Sequence, residues 1–335
     1  MRYVVLGAGA VGGGVGGLLH RAGLDTTLVA RGPHLEALRT HGLRLRVGRE
    51  PEQTWPVPSV AAPSDLGWTD DTVVLLAVKS QQTAAALTDL LPHLPPEVPV
   101  VSLQNGVSNE RTLLRHVEHV HAITVMMPAS HLEPGRVTIH SAGTPALLDV
   151  GTYPRGVDDV DRAVAADLRT AGMASEPRAD IMAWKHRKLL TNLGNAVDAA
   201  CPPGADATEL VDRLRREGEQ VLTAAGIAVV GEAEDQERRG ELLRPLVDRD
   251  AAGSSSWQSV SRGTGDVETD HLNGEIVLLG RLHGVPTPAN ELVRRTLNDL
   301  VRRRGRPRTV PAAPLLGRLD DLAPPRTHEG PATSR

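Results

Sequence analysis

The feature that most constrains this chain stands at its start. A short apolar run, residues 2–6 (RYVVL), leads at once into Gly7-Ala-Gly9-Ala-Val-Gly12 and then into a helix-compatible stretch ending near Ala22. A strand that passes through GxGxxG into a helix is the phosphate-binding opening of a parallel α/β unit. Gly7 permits the tight turn, Gly9 lets backbone approach a pyrophosphate, and Gly12 lets helix and strand pack closely. The helix N-terminus adds unpaired N–H groups and the positive end of a dipole. Gly7, Gly9, Ala10, Val11 and Gly12 are therefore the expected cofactor-binding positions. Further glycines at 13, 14, 16 and 17 weaken the helix by up to about 1 kcal/mol each relative to Ala, for which the sequence offers only close packing as a reason.

The alternation continues. Apolar runs at 26–30, 72–78, 98–103 and 120–125 alternate with helical patterns at 34–41, 81–91 and 108–117, with another strand at 42–47. Such alternation implies a parallel sheet with crossover helices. Segments 136–140 and 145–150 read as short antiparallel strands closing that sheet, 158–171 as a helix and 173–177 as a last short strand. From residue 180 the pattern is almost wholly helical: 180–197, 206–225, 232–249, 254–262, 266–283 and 288–303. The expected organisation is a dinucleotide-binding α/β domain over 1–178, a mostly α-helical domain over 179–304, and a Pro- and Arg-rich disordered tail over 305–335.

Composition excludes several classes. The single Cys201 allows neither an intrachain disulfide nor a Cys-rich zinc or iron–sulfur site, and no metal is expected. A net charge of −4, with four Trp, two Tyr and no Phe, supplies neither the basic field nor the aromatics of nucleic-acid recognition. Residues 4–19 imitate a signal peptide, but seven of the sixteen are Gly and no cleavage pattern follows, so export is not expected. No run reaches the length of a membrane span. The expected location is the cytoplasm.

Residues at strand ends select the ligand. Where NAD enzymes place Asp or Glu after the second strand, this chain has Arg31, whose guanidinium suits a 2′-phosphate; the expected cofactor is NADPH. The alternative is an ordinary surface arginine. Lys79 follows 72–78, and Asn105, in the Gln104-Asn105-Gly106 turn, follows 98–103. Ligands of open parallel sheets sit beyond such strand ends. In the helical half, Trp184, Lys188, Asn192 and Asn195 share one helix face by their spacing. A lysine in a cleft is partly desolvated and usable as a proton donor near neutral pH. Glu268 stands in register with an apolar stripe continued by Leu272, Ile276 and Leu279, so it needs a lysine or a ligand as partner. It reads equally well as an acidic residue favoured at a helix N-terminus.

With these residues in view, the chain resembles the ketopantoate reductase (2-dehydropantoate 2-reductase) family from residue 1 to about 300. The carriers are GAGAVG at 7–12, Arg31, VKSQQT at 78–83, LQNG at 103–106, WKHRKLLTN at 184–192, SSSWQ at 254–258 with ETDHLNGEI at 268–276, and HGVPTPAN at 283–290. The resemblance implies a Rossmann domain and a helical domain with the active site between them, and NADPH-dependent reduction of a 2-oxo acid. It implies that Lys188 protonates the nascent alkoxide and that Glu268 lies near the reacting oxygen and orients Lys188 or the substrate hydroxyl. It places Lys79 beside the cofactor, Asn105 beside cofactor and substrate, and Asn192, Asn195 and Ser255 in the substrate pocket, Ser254 and Ser256 blurring the register. A homodimer is compatible with the helical half.

The chain also departs from the family pattern. Two extra residues separate Trp184 from Lys188, leaving Lys185 and Arg187 as neighbours of the expected acid, though only Lys188 keeps the KLxxN spacing. Asn195 follows Asn192 by three rather than four, Pro203 replaces an asparagine, and the stretch before Glu268 is one residue longer. All lie on the substrate side. The alternatives are a reductase of a different oxo acid, a β-hydroxyacid dehydrogenase with its Lys-x3-Asn helix, and a non-catalytic NADPH-sensing protein.

Overall fold

The computed structural model describes residues 1–244, 246, 253–263 and 265–322. The first half runs β1 (Arg2–Leu6), α1 (Ala10–Arg21), β2 (Asp25–Val29), α2 (Gly32–His41), β3 (Leu43–Val47), β4 (Gln53–Trp55), β5 (Ser59–Val60), β6 (Thr72–Leu76) and α3 (Thr83–Leu90). It continues with β7 (Val100–Ser102), α4 (Asn109–Leu113), β8 (Val120–Met126), β9 (Ala129–Ser130), β10 (Arg136–Ile139), β11 (Leu147–Thr152) and α5 (Asp159–Thr170).

The main sheet has seven strands in the order β11-β8-β7-β6-β1-β2-β5, parallel except for β11. Side chains alternate across it, as strand geometry requires. Tyr3 and Val5 of β1 join one apolar cluster, while Val4 and Leu6 join another under α3 with Leu87 and Leu90. Strand order reverses between β1 and β6, which opens a crevice at their carboxyl ends, where Gly7 and Lys79 follow.

The sequence reading assigned 136–140 to this sheet, and the structure corrects it. β10 pairs in parallel with β3 and antiparallel with β9, and β3 pairs with β4, forming a separate four-stranded sheet. That second sheet covers the other side of α1 and explains the surplus glycines. A Cβ on Gly16 would lie 2.5 Å from Leu28 in the main sheet, whereas one on Gly14 or Gly17 would meet Met127 at 2.4 Å or Leu43 at 2.6 Å on the opposite side. The helix is thinned so that two sheets can approach it. Residues 173–177 form no strand; they make two isolated bridges, Leu147–Ala174 and Val150–Pro177.

The second half holds α6 (Ile181–Asn192), α7 (Asn195–Ala200), α8 (Ala205–Ala224), α9 (Glu232–Arg239), α10 (Ser255–Ser261), a 3₁₀ turn at Glu268–His271, α11 (Asn273–His283), α12 (Pro288–Arg302) and α13 (Ala313–Leu322). Among the described residues none of these helices is long and apolar enough to cross a membrane. The expected helix 180–197 breaks at Leu193-Gly194, where a Cβ on Gly194 would lie 3.2 Å from Val211 of α8. The expected helix 232–249 ends at Arg239, because Gly240 takes φ +38°; residues 245 and 247–249 of that expectation lie outside the described residues. The helix expected over 266–283 divides at Leu272 into the 3₁₀ turn and α11.

The disordered tail is corrected as well. Arg308 and Val310 donate backbone hydrogen bonds to the carbonyls of Ala199 and Ala200, and Leu315 and Leu319 of α13 are buried in the helical core. The remainder of that expectation, 323–335, lies outside the described residues.

Candidate active site

The crevice at the strand reversal opens into a cleft of about 1600 Å³, walled by the main sheet on one side and by the helical half on the other. Its floor begins with the glycine loop. Gly7 takes φ +106°, a region closed to most side chains, and a Cβ there would lie 2.8 Å from the Val78 backbone nitrogen. Gly12 lies beneath the cleft surface, where a Cβ would come within 2.1 Å of the Gly7 carbonyl oxygen. Gly9, the N-cap of α1, has nothing within 4 Å of its Cβ position. Gly7, Gly9, Ala10 and Val11 line the cleft. Open space above Gly9 and a helix N-terminus fit a diphosphate, so the residues present suit a dinucleotide.

Arg31 is the N-cap residue of α2 and lines the same cleft, its side chain 65% exposed and ion-paired with Asp89. Lys79 and Glu268 meet across the cleft. Lys79 Nζ donates to Glu268 Oε2 at 2.9 Å, while the backbone N–H and hydroxyl of Ser80 donate to Oε1 at 3.1 and 3.3 Å. Burial by itself would raise the Glu268 carboxyl. The Lys79 charge and the hydrogen bonds from Lys79 and Ser80 outweigh it and hold the group below the usual carboxylate range. The lysine that this buried carboxylate needs is thus Lys79, on the sheet side, rather than Lys188.

The Gln104-Asn105-Gly106 turn is fixed from beneath. Gln104 Nε2 donates to the Val78 carbonyl at 2.8 Å and to Thr83 Oγ1 at 2.9 Å, and Asn109 Nδ2 donates to the Asn105 carbonyl at 3.2 Å. This leaves the Asn105 side chain facing the cleft, where its Oδ1 accepts from Asn192 Nδ2 of α6 at 3.3 Å. Asn105 and Asn192 therefore tie the two halves together at the cleft.

The three basic neighbours in α6 separate cleanly. Lys185 points into the sheet, 3% exposed: its Nζ pairs with Glu110 Oε1 at 2.8 Å and donates to the carbonyls of Gln104 and Ile123. Arg187 donates to the Val230 carbonyl at 2.7 Å. Lys188 is the one that lines the cleft, together with Asn192 and Asn195. Trp184, expected on the same stripe, is instead buried beneath Arg178, whose guanidinium carbon lies 4.6 Å from a ring centroid.

The serines sort by geometry. Ser254 and Ser255 both line the cleft, but the Ser254 hydroxyl is used within the fold, where it caps α10 by accepting from the Trp257 N–H and donates to the Asn195 carbonyl, and Ser256 is buried. Sequence reasoning missed Arg308, which lines the cleft from the assumed tail and pairs with Asp198 at 2.7 Å. It also missed Arg262 and His131. The only signal for Arg308 was the apolar spacing of Leu315 and Leu319 behind it. Pro203 lines the cleft as well.

Residues 3–154 match the family described as ketopantoate reductase PanE/ApbA, and residues 180–301 match its C-terminal family. A 2-dehydropantoate 2-reductase of Halobacterium salinarum is 35% identical over 325 residues, covering 90% of this chain and 98% of that protein. The enzyme of the same name from Pyrococcus horikoshii is 28% identical over 302 residues, covering 88% of this chain and 95% of that one. Among solved structures, a PanE/ApbA family ketopantoate reductase from Ralstonia eutropha superposes with TM-score 0.77 at 30% identity, covering 91% of this chain and 99% of its own. D-mandelate dehydrogenase, in a ternary structure with NADH and anilino(oxo)acetate, shares the fold at TM-score 0.76 and 20% identity. With the glycine loop, the cleft and both halves matched, the chain belongs to the ketopantoate reductase family.

Proposed function

We propose that this chain catalyses NADPH-dependent reduction of a 2-oxo acid to a 2-hydroxy acid, with ketopantoate (2-dehydropantoate) as substrate and pantoate as product. The observation that carries this reading is the convergence of Lys188, Asn192 and Ser255, from the helical half, on the cleft that the glycine loop and Asn105 line from the sheet. The names of its relatives supply the substrate.

The loop 7–12 holds the cofactor's diphosphate, and Arg31 selects the 2′-phosphate of NADPH over the free hydroxyl of NADH. When bound, the nicotinamide supplies a hydride to the ketone carbon. Lys188 stabilises the developing alkoxide and gives it a proton. Asn105 and Asn192 hold the substrate hydroxyl and the cofactor ribose, Asn195 lines the substrate pocket, and Ser255 donates to the substrate carboxylate. Glu268, held by Lys79 and Ser80, would orient the substrate hydroxyl, and Lys79 would stand beside the cofactor. Closure of the two halves excludes water. We place the activity in the cytoplasm, with which the buried free thiol of Cys201 is compatible.

The test is the loss of NADPH absorbance with ketopantoate, run beside NADH and a panel of other 2-oxo acids. Turnover with ketopantoate and a strong preference for NADPH is expected. NADPH binding without ketopantoate turnover would refute the substrate. A second reading, a reductase of a different oxo acid, is favoured by one observation: Pro203, which stands where the family has an asparagine, lines the cleft and removes a donor from the substrate side.

A further inference from the structure

One cleft residue has a charge with no evident use in the fold. Arg262 follows the last turn of α10. Gln258 and Arg262, four apart on one face, both reach the other half of the molecule. Gln258 Nε2 donates to the Ala129 carbonyl at 3.2 Å, and Arg262 Nη1 donates to the His131 carbonyl at 2.7 Å. Among the described residues no carboxylate forms an ion pair with Arg262, and its Nε is buried without an acceptor. Other arginines buried between elements, such as Arg238 and Arg178 on Asp149, are neutralised by carboxylates.

Its surroundings lead to the glycine loop. The His131 ring packs against that of His34, tilted by 53° with centroids 4.3 Å apart. His34 Nδ1 accepts from the Gly135 N–H at 2.9 Å, so Nε2 carries the proton and donates to the Ala8 carbonyl at 2.7 Å. Burial, then the neighbouring His34 and Arg262, push His131 down to about 4, and burial lowers His34 as well. Both imidazoles are therefore neutral at physiological pH, and Arg262 brings the positive charge to this corner. The loop itself, Gly7 to Gly12, contains no cation.

We propose that Arg262 is a cofactor ligand supplied by the helical half, its guanidinium fork taking the diphosphate of the dinucleotide from the side opposite the glycine loop. This rests on the nicotinamide-cofactor reading above. A diphosphate oxygen pair satisfies the orphaned Nε and the outer nitrogen together, the planar geometry for which arginine is suited. It also supplies the missing counter-charge. Because Arg262 belongs to one half and the loop to the other, the bound cofactor would be held from both halves.

The test is NADPH binding to the full-length protein, without substrate, by fluorescence titration of wild type, R262Q and R262K. R262Q is expected to raise the Kd for NADPH at least about tenfold, with R262K between it and wild type. Two fragments locate the contact. 2′-Phospho-ADP-ribose keeps the diphosphate and should weaken with NADPH, whereas 2′,5′-ADP lacks it and should stay within about twofold. The KM for the oxo acid at saturating NADPH should not move. Unchanged NADPH affinity in R262Q overturns the proposal. So does an equal loss for all three nucleotides, which marks Arg262 as a docking residue only, and so does a rise confined to the oxo-acid KM, which assigns it to the substrate carboxylate. Should R262Q fail to fold, wild-type affinity in R262K overturns the forked contact. Wild-type protein that binds neither NADPH nor NADH would instead remove the underlying cofactor reading.

Discussion

Alanine at Gly12 and at Gly9 should fail in opposite ways. A Cβ on Gly12 would sit 2.1 Å from the Gly7 carbonyl oxygen, 2.8 Å from Ala77 Cβ and 3.1 Å from Val5 Cγ1. Restoring even a 3.0 Å contact moves the start of α1 about 0.9 Å away from the end of β1. The nearest atom is backbone and cannot rotate aside, so the cost lies at the upper end of the 1–3 kcal/mol typical of overpacking, about 3 kcal/mol. Higher helix propensity returns about 1 kcal/mol, for a net destabilisation of ~2 kcal/mol. At Gly9 nothing lies within 4 Å, and φ −71°, ψ −156° is open to alanine. Losing a glycine N-cap costs at most about 1 kcal/mol. G9A should therefore stay folded but place a methyl where the diphosphate passes, weakening NADPH about tenfold or more. Thermal unfolding and NADPH fluorescence titration read the two effects separately. G9A with wild-type NADPH affinity would refute the passage of the diphosphate over Gly9. G12A with wild-type stability would refute the close approach of helix and strand.

Three further outcomes follow from named contacts. Lys185→Met should cost about 3–5 kcal/mol, because it strands the buried Glu110, whereas the double change K185M/E110M should recover most of that loss in denaturant melts. The Glu268 carboxyl is held below its ordinary value, so the folded state releases its proton more readily than the unfolded one. Its stabilisation is complete above the unfolded carboxylate value of about 4.3 and disappears as pH falls through the folded value. The stability gap between wild type and E268Q should therefore narrow below about pH 4 in urea melts across pH; a constant gap would contradict the ion pair. Leu315→Ala in α13 should destabilise the helical half by about 2–4 kcal/mol, whereas a detached tail predicts no change.

The parallel sheet was legible because its strands are continuous apolar runs separated by helices, and the glycine loop because GxGxxG stands between a strand and a helix. Spacing favoured Lys188 over Lys185, and in the structure Lys185 is buried on Glu110 while Lys188 lines the cleft. The second sheet was not legible. Its strands are two to five residues long and join β3 to β10 across some ninety positions of sequence, a pairing no local pattern carries. The apolar register of Glu268 called for a lysine or a ligand without naming it, because the lysine it meets, Lys79, lies in the other half of the chain, and Glu268 also opens a 3₁₀ turn as the alternative reading had it. Prolines at 307, 311 and 314 hid α13, which depends on burial of Leu315 and Leu319 rather than on propensity. The surplus glycines of α1 became intelligible only once sheets were seen on both sides of it.

The central claim is that Lys188 is the proton donor of a reductase whose cofactor site stands apart from it. The most direct measurement is the turnover of Lys188→Ala with NADPH and ketopantoate, beside its Kd for NADPH. General acid catalysis contributes about 10²–10⁴-fold, so kcat should fall by at least the lower figure while NADPH binds as in wild type. Turnover close to wild type at unchanged NADPH affinity would contradict the account.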